Sequence, residues 1–147
     1  MKISKLEKLF SEISSITGLE NIGCHRVSEE RLIPIHKTTR GLNINKWKKI
    51  HNKKPAYISD SCILEDVVYN QKIVVIKDVE NHEGYTEHLM ELNIKSLLMI
   101  PIIENSKVYG FIQGVSIGKK CSFTYRQIEK CVDIIDSYKE GLVQLCE

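Results

Sequence analysis

The sequence predicts an α+β domain in which antiparallel strands lie between two amphipathic terminal helices. Three observations predict it. Near the start, Ile3, Leu6, Phe10 and Ile13 recur at helical spacing. Near the end, Ile128, Cys131, Ile135, Tyr138, Leu142 and Leu145 follow a 3-4-3-4-3 spacing. Between them, the apolar runs Ile73–Ile76, Leu97–Ile103 and Val108–Val115 are rich in β-branched or aromatic side chains and are bounded by polar or glycine residues.

The first element is an amphipathic helix over residues 1–17, its stripe widened by Leu9 and Ile16. Ser4 and Glu7 fit a capping box, and Gly18 fits a helix stop. Ile22–Val27 and Leu32–His36 then flank Ser28-Glu29-Glu30-Arg31, which reads as a hairpin. His25 and His36 have no carboxylate or second histidine at ligand spacing, so they read as solvent-facing or satisfied strand residues. Cys24 and His25 are neighbours. On a strand their side chains point to opposite faces, which argues against a Cys–His catalytic pair.

Lys37 to Lys54 carries seven Lys or Arg residues and no acid. Ile44, Trp47 and Ile50 share one helical face there, leaving Lys46, Lys48, Lys49 and Lys53 toward water. The pattern fits a solvated helix face, or a site for an anionic ligand or an acidic partner surface.

Val67–Lys72 leads into Ile73–Ile76, and Leu92–Ser96 into Leu97–Ile103. Glu104-Asn105-Ser106-Lys107 is a turn of hairpin length before Val108–Val115. Pro101 cannot donate to a ladder, so it belongs at an edge, a bulge or an unpaired register position. The last helix spans residues 124–147. Thr124 and Gln127 form a capping box, with Phe123 and Ile128 as the flanking staple. Its late seam, Tyr138 to Leu145, fits pairing with a second copy or packing on the N-terminal helix of the same chain.

Length and composition fit one domain, residues 1–147, with a net charge of +2. Such a charge gives no overall pull toward nucleic acid or membrane, and no apolar run approaches the roughly 20 residues of a membrane span. The start, Met1-Lys2-Ile3-Ser4-Lys5, lacks an apolar signal core. Five cysteines (Cys24, Cys62, Cys121, Cys131 and Cys146) show no CxxC pair, so a cytoplasmic location with reduced thiols is expected. No nucleophile elbow, phosphate-cradling loop or zinc helix occurs, so no catalytic residue is assigned. His82 and His88, with Glu83, Glu87 or Asp78, match no standard metal spacing, and no metal is assigned.

The segments Ile73-Val74-Val75-Ile76-Lys77-Asp78-Val79, Ile94-Lys95-Ser96-Leu97-Leu98-Met99-Ile100-Pro101-Ile102 and Val108-Tyr109-Gly110-Phe111-Ile112 resemble three strands of the GAF domain family, small-molecule sensory modules related to PAS domains. Asn93 stands where that family usually has Gly, and Asn tolerates positive φ better than most residues. The resemblance implies a central antiparallel sheet of five or six strands. The terminal helices would pack on one face, with short helices and loops over a ligand pocket on the other. It implies a helix over Ile58–Tyr69, for which Ser61 and Glu65 are plausible caps. It makes Ile44, Trp47, Ile63, Val67, Val68, Tyr85, His88, Ser96, Leu98 and Met99 candidate pocket residues. It also places Ile3, Leu6, Phe10, Ile13, Ile135, Tyr138, Leu142 and Leu145 at a homodimer interface.

The expected function is that of a sensory module. A small molecule binds, the terminal helices rearrange, and the signal passes to a dimer partner or an output domain. The resemblance names neither ligand nor cofactor. The signature of the cyclic-nucleotide-binding members is incomplete: Asn45-Lys46 is present without the later Phe and Asp-Glu. Cys62 is followed by Ile63 and not by the His common in bilin-binding members. The alternatives are a dimerisation or scaffold domain with a collapsed pocket, and a thiol-redox enzyme of the free-methionine sulfoxide reductase type using Cys62.

Overall fold

The computed structural model describes residues 1–39, 43–82 and 87–147, with the side chains of Glu87 and His88 outside the description. The chain runs α1 (Ile3–Thr17), β1 (Asn21–Ser28), β2 (Arg31–Lys37), α2 (Ile44–Lys53), β3 (Ala56–Tyr57), a 3-10 turn (Ile58–Asp60), α3 (Cys62–Val68), β4 (Val74–Ile76), α4 (Glu87–Glu91), β5 (Ile94–Glu104), β6 (Lys107–Ile117), α5 (Tyr125–Ser137) and α6 (Lys139–Cys146). The six strands form one antiparallel sheet in the order β3-β2-β1-β6-β5-β4.

Both long hairpins close through two-residue loops with left-handed backbone. The residues are Glu29 and Glu30 (φ 51° and 66°) between β1 and β2, and Asn105 and Ser106 (φ 51° and 62°) between β5 and β6. This geometry matches the right-handed twist of the flanking strands. Asn93 takes φ 59°, as expected for a stand-in for Gly, and its carbonyl accepts the Gly118 N–H at 3.0 Å. Pro101 is buried inside β5 opposite Phe111. It is tolerated there because β4 pairs with Leu97–Met99, so no strand among the described residues flanks Pro101 on that side.

The sheet separates two apolar clusters. On one face Leu6, Leu9, Phe10 and Ile13 of α1 pack with Cys131 and Ile135 of α5, Leu142 and Cys146 of α6, and Cys24, Leu98, Ile100, Ile102 and Ile112 of the sheet. On the other, Ile58 and the α3 residues Ile63, Val67 and Val68 pack with Leu32, Ile76, Leu97, Met99, Phe111 and Val115. Alternation along β5 sends Leu97 and Met99 to one cluster and Leu98 and Ile100 to the other.

Several expectations are corrected. The region after Phe123 is two helices, broken at Tyr138 (φ −100°, ψ 3°). There the Tyr138 hydroxyl donates to the Glu12 carboxylate at 3.0 Å. The apolar spacing continues across the break because both helices cover the same sheet. Five of the eight interface candidates (Leu6, Phe10, Ile13, Ile135 and Leu142) are buried within their own chain. Packing of α1 on α5, one of the two arrangements the seam fits, accounts for this; of the eight, Ile3 is 42% exposed, with Tyr138 and Leu145 half-buried. The Ser4–Glu7 capping box is absent: α1 starts at Ile3 with Lys2 as an uncapped N-cap. Glu7 instead pairs with His36, Oε1 to Nε2 at 3.2 Å. Val67 and Val68 end α3, inside the helix expected over Ile58–Tyr69. Three expected caps form as read. Gly18 closes α1 at φ 78°, Ser61 accepts the Leu64 N–H at 3.3 Å, and Thr124 and Gln127 make both hydrogen bonds of their capping box.

Candidate functional site

The site candidate is an aromatic and histidine cluster on the sheet face away from the terminal helices. His25 lies on β1 and Phe111 on its partner β6, paired in register. Their rings stack with centroids 5.2 Å apart and planes 25° apart. From above, α2 brings Trp47 to 5.2 Å and His51 to 5.4 Å from the same imidazole. Residues 47 and 51 are four apart on a helix, so they share a face. The Trp47 ring reaches over Gly23, stopping 3.9 Å from where a Cβ would stand.

Electrostatics make His25 unusual. His25 is 6% exposed, and its Nδ1 is buried without a hydrogen-bond partner among the described residues. Burial, and secondarily the charge of His51, lowers its pKa from 6.5 to about 3. At neutral pH the ring is uncharged, with a polar atom unsatisfied beneath α2. A buried polar group left so costs about 1–3 kcal/mol.

The α2 helix is held at its start by Asn43, whose side chain accepts the Asn45 and Lys46 N–H groups. It buries none of its own residues. Ile44 and Trp47 are half-buried and Ile50 is 54% exposed, so the apolar face expected to lie on the domain is only partly covered. Lys46, Lys48, Lys49 and Lys53 are exposed, as expected for the outer face.

The remaining pocket candidates divide. Ile63, Val67, Val68 and Met99 lie in the same cluster as Phe111. Leu98 does not: it faces the terminal helices, because neighbouring strand residues alternate. Ser96 is fully buried and committed to the backbone, its Oγ donating to the Lys77 carbonyl and accepting from the Cys121 N–H, each at 2.8 Å. Neither Ser96 nor Leu98 can line a pocket with Met99. Tyr85 and the His88 side chain lie outside the described residues. Of the acids weighed as metal ligands, Asp78 is engaged by Asn81 at 2.8 Å and Lys120 at 2.9 Å, which hold its carboxyl below the usual range.

Sequence reasoning missed His51 and Phe111. His51 carried a usable signal, its place one turn after Trp47. Phe111 carried none, because its pairing with His25 is set by the β1–β6 register between distant segments. His36 also found a carboxylate, Glu7, that spacing did not show. Among the described residues, clefts lie on the other side of the sheet. One of about 420 Å³ lies beside Glu7, Phe10 and His36, and one of about 200 Å³ lies between Ile100, Ile102 and α5.

No known family's sequence profile matches the chain, and no curated protein does. Solved structures do. The chain is similar to a GAF domain/HD domain protein from Geobacter sulfurreducens, with TM-score 0.76 and 13% identity over 96% of this chain and 90% of that one. It is similar to the GAF domain of a two-component sensor histidine kinase from Bacillus halodurans, with TM-score 0.75 and 12% identity over 99% and 95% of the two chains. It is also similar to a type II free methionine-R-sulfoxide reductase from Thermoplasma acidophilum, with TM-score 0.67 and 14% identity over 97% and 90%. At such identities the likeness is one of fold, and the fold is that of a GAF domain.

Proposed function

We propose that this GAF-fold chain is a small-molecule-binding sensory domain whose ligand enters beneath α2, against His25, Trp47, His51 and Phe111. The observation that carries the reading is the buried, unpartnered Nδ1 of His25 under a helix that buries none of its own residues. A ligand with a planar apolar body and one hydrogen-bond donor satisfies both features. It stacks on the rings, donates a hydrogen bond to the neutral imidazole and draws α2 down. Ile44, Ile63, Val67, Val68 and Met99 complete the apolar wall.

Transmission follows from the strand beneath. β1 carries His25 on the ligand face and Cys24 among the terminal helices. A shift of β1 on binding therefore reaches α1, α5 and α6, and through them a second copy or an output domain. Pairing of copies belongs to this reading, carried by what α1 and α5 leave exposed, including Ile3 and Tyr125. The location that fits is cytoplasmic: among the described residues no helix is long and apolar enough to cross a membrane.

A scaffold role without ligand is favoured by one observation, the complete burial of Ile58, Val67, Val79 and Phe111 on the same face. The thiol-redox alternative has less support. Cys62 is exposed at the start of α3, whereas Cys24, Cys131 and Cys146 lie across the sheet from that helix.

Trp47 is the sole tryptophan, so its fluorescence reports the site directly. The test is native mass spectrometry of purified protein, followed by a fluorescence-monitored screen of small planar metabolites. A retained mass, or a saturable Trp47 shift that weakens at least tenfold in His25→Phe, supports the reading. A bare protein whose Trp47 emission no compound shifts supports the scaffold role.

A further inference from the structure

Two cysteines meet inside the helix-face core. Cys24 lies on β1 and Cys146 ends α6, with exposures of 0% and 3%. Along the β1–β6 pair, Cys24 faces Ile112 and Arg26 faces Gly110. Gly110 offers no side chain on this face, and the Cys146 Sγ occupies the space, 3.1 Å from where a Gly110 Cβ would stand. Cys24 is the diagonal cross-strand neighbour of that position. The two thiols are near enough that each is the largest influence on the other's ionisation.

We propose that Cys24 and Cys146 form a reversible disulfide, made by a hydroperoxide, that fastens the last turn of α6 to β1. The site is distinct from the ligand cluster, which lies on the opposite face of the sheet.

The two thiols have different roles. The neighbouring Cys24 thiol and the charge of Arg26 favour the Cys146 thiolate, against the effect of burial. The Cys146 thiol and burial push Cys24 well up. The cation of Arg26, which acts on Cys146, makes Cys146 the nucleophile and Cys24 the resolving thiol. The Cys146 thiolate attacks the peroxide O–O bond and takes one oxygen as a sulfenic acid. The other oxygen leaves with the proton that the thiol gave up, as water. The Cys24 sulfur then attacks the Cys146 sulfur and expels the hydroxyl, which departs with the Cys24 proton as a second water. Two thiols and one hydrogen peroxide give one disulfide and two waters. A local opening of the α6 end admits the oxidant.

The consequence is mechanical. In the reduced protein no covalent bond ties the last turn of α6 to β1. In the oxidised protein its last turn cannot leave β1, so the terminal helices are pinned whatever occupies the other face.

The test uses the native protein near neutral pH. It is treated with hydrogen peroxide, its remaining thiols are alkylated under denaturing conditions, and the masses are mapped. The expected product is lighter by two hydrogens, contains one peptide joining Cys24 to Cys146, and reverts with dithiothreitol. It forms equally in Cys62→Ser and is lost in Cys146→Ala. Amide exchange at the end of α6 slows on oxidation. Cys24 and Cys146 remaining free while Cys62 or Cys121 oxidises overturns the proposal, as does a disulfide that forms only in denaturant. A disulfide that leaves α6 exchange unchanged overturns the fastening role. The wild-type mapping stands even where the Cys146 variant folds poorly.

Discussion

His25 stacks on Phe111 with 5.2 Å between ring centroids, and no hydrogen bond reaches its buried Nδ1. This pairing joins the central strands β1 and β6 beneath α2, and it makes stability depend on pH. Burial takes the imidazole from 6.5 to about 3. Between those values the unfolded chain binds a proton that the folded chain refuses. Stability from His25 is therefore complete above pH 6.5 and is lost as pH falls, levelling near pH 3. The steepest slope is about 1.4 kcal/mol per pH unit. Urea unfolding at neutral pH and at about pH 4.5 checks this in wild type and His25→Phe. The wild type should lose more stability on acidification, and parallel losses would remove His25 from the acid sensitivity.

Gly110 and Gly114 both lie on β6 opposite β1, yet alanine should affect them differently. A Cβ at Gly110 meets the His25 carbonyl oxygen at 2.2 Å, and that backbone cannot move without breaking the β1–β6 ladder. A Cβ at Gly114 meets the Leu19 Cδ1 at 2.7 Å, the end of a side chain that can rotate. Gly110→Ala should cost more than about 3 kcal/mol or prevent folding, and Gly114→Ala about 1–2 kcal/mol. Thermal unfolding of the pair decides it; equal losses would sink the distinction.

Ser96 is a structural stitch. Its hydroxyl joins the Lys77 carbonyl to the Cys121 N–H across the end of the sheet. Ser96→Ala leaves both groups unpaired and should cost about 2–3 kcal/mol. Any ligand response followed by Trp47 fluorescence should survive below the new midpoint. A lost response in protein that remains folded would return Ser96 to the pocket.

Leu6 and Leu142 are wholly buried within one chain, so their loss acts on the monomer. Leu6→Ala and Leu142→Ala should each cost about 2–5 kcal/mol. The cost should not change with protein concentration in denaturant titrations. A destabilisation that fades as concentration rises would mean that the stripe is shared between copies.

Much of the architecture was legible because its causes are local. The caps at Gly18, Ser61 and Thr124, the left-handed Asn93 and the two hairpin turns all depend on residues within a few positions of one another. The candidate site was legible in part. Trp47 announced itself as the aromatic of an amphipathic helix, but His25 read as an ordinary strand residue. Its buried state depends on Phe111, 86 positions away, and on α2 above.

By itself the sequence determined the α+β class, the amphipathic terminal segments and the strand-rich middle, because periodicity and turn chemistry act over short separations. Only the tertiary structure decided which face each strand residue serves. It set Leu98 against Met99, chose packing within the chain for most of the terminal-helix seam, and brought Cys24 to Cys146 and Glu7 to His36. Those pairings depend on strand register and on which helix lies across which strand. No local propensity encodes them, because they join residues whose only relation in the chain is that both must bury surface against the same sheet.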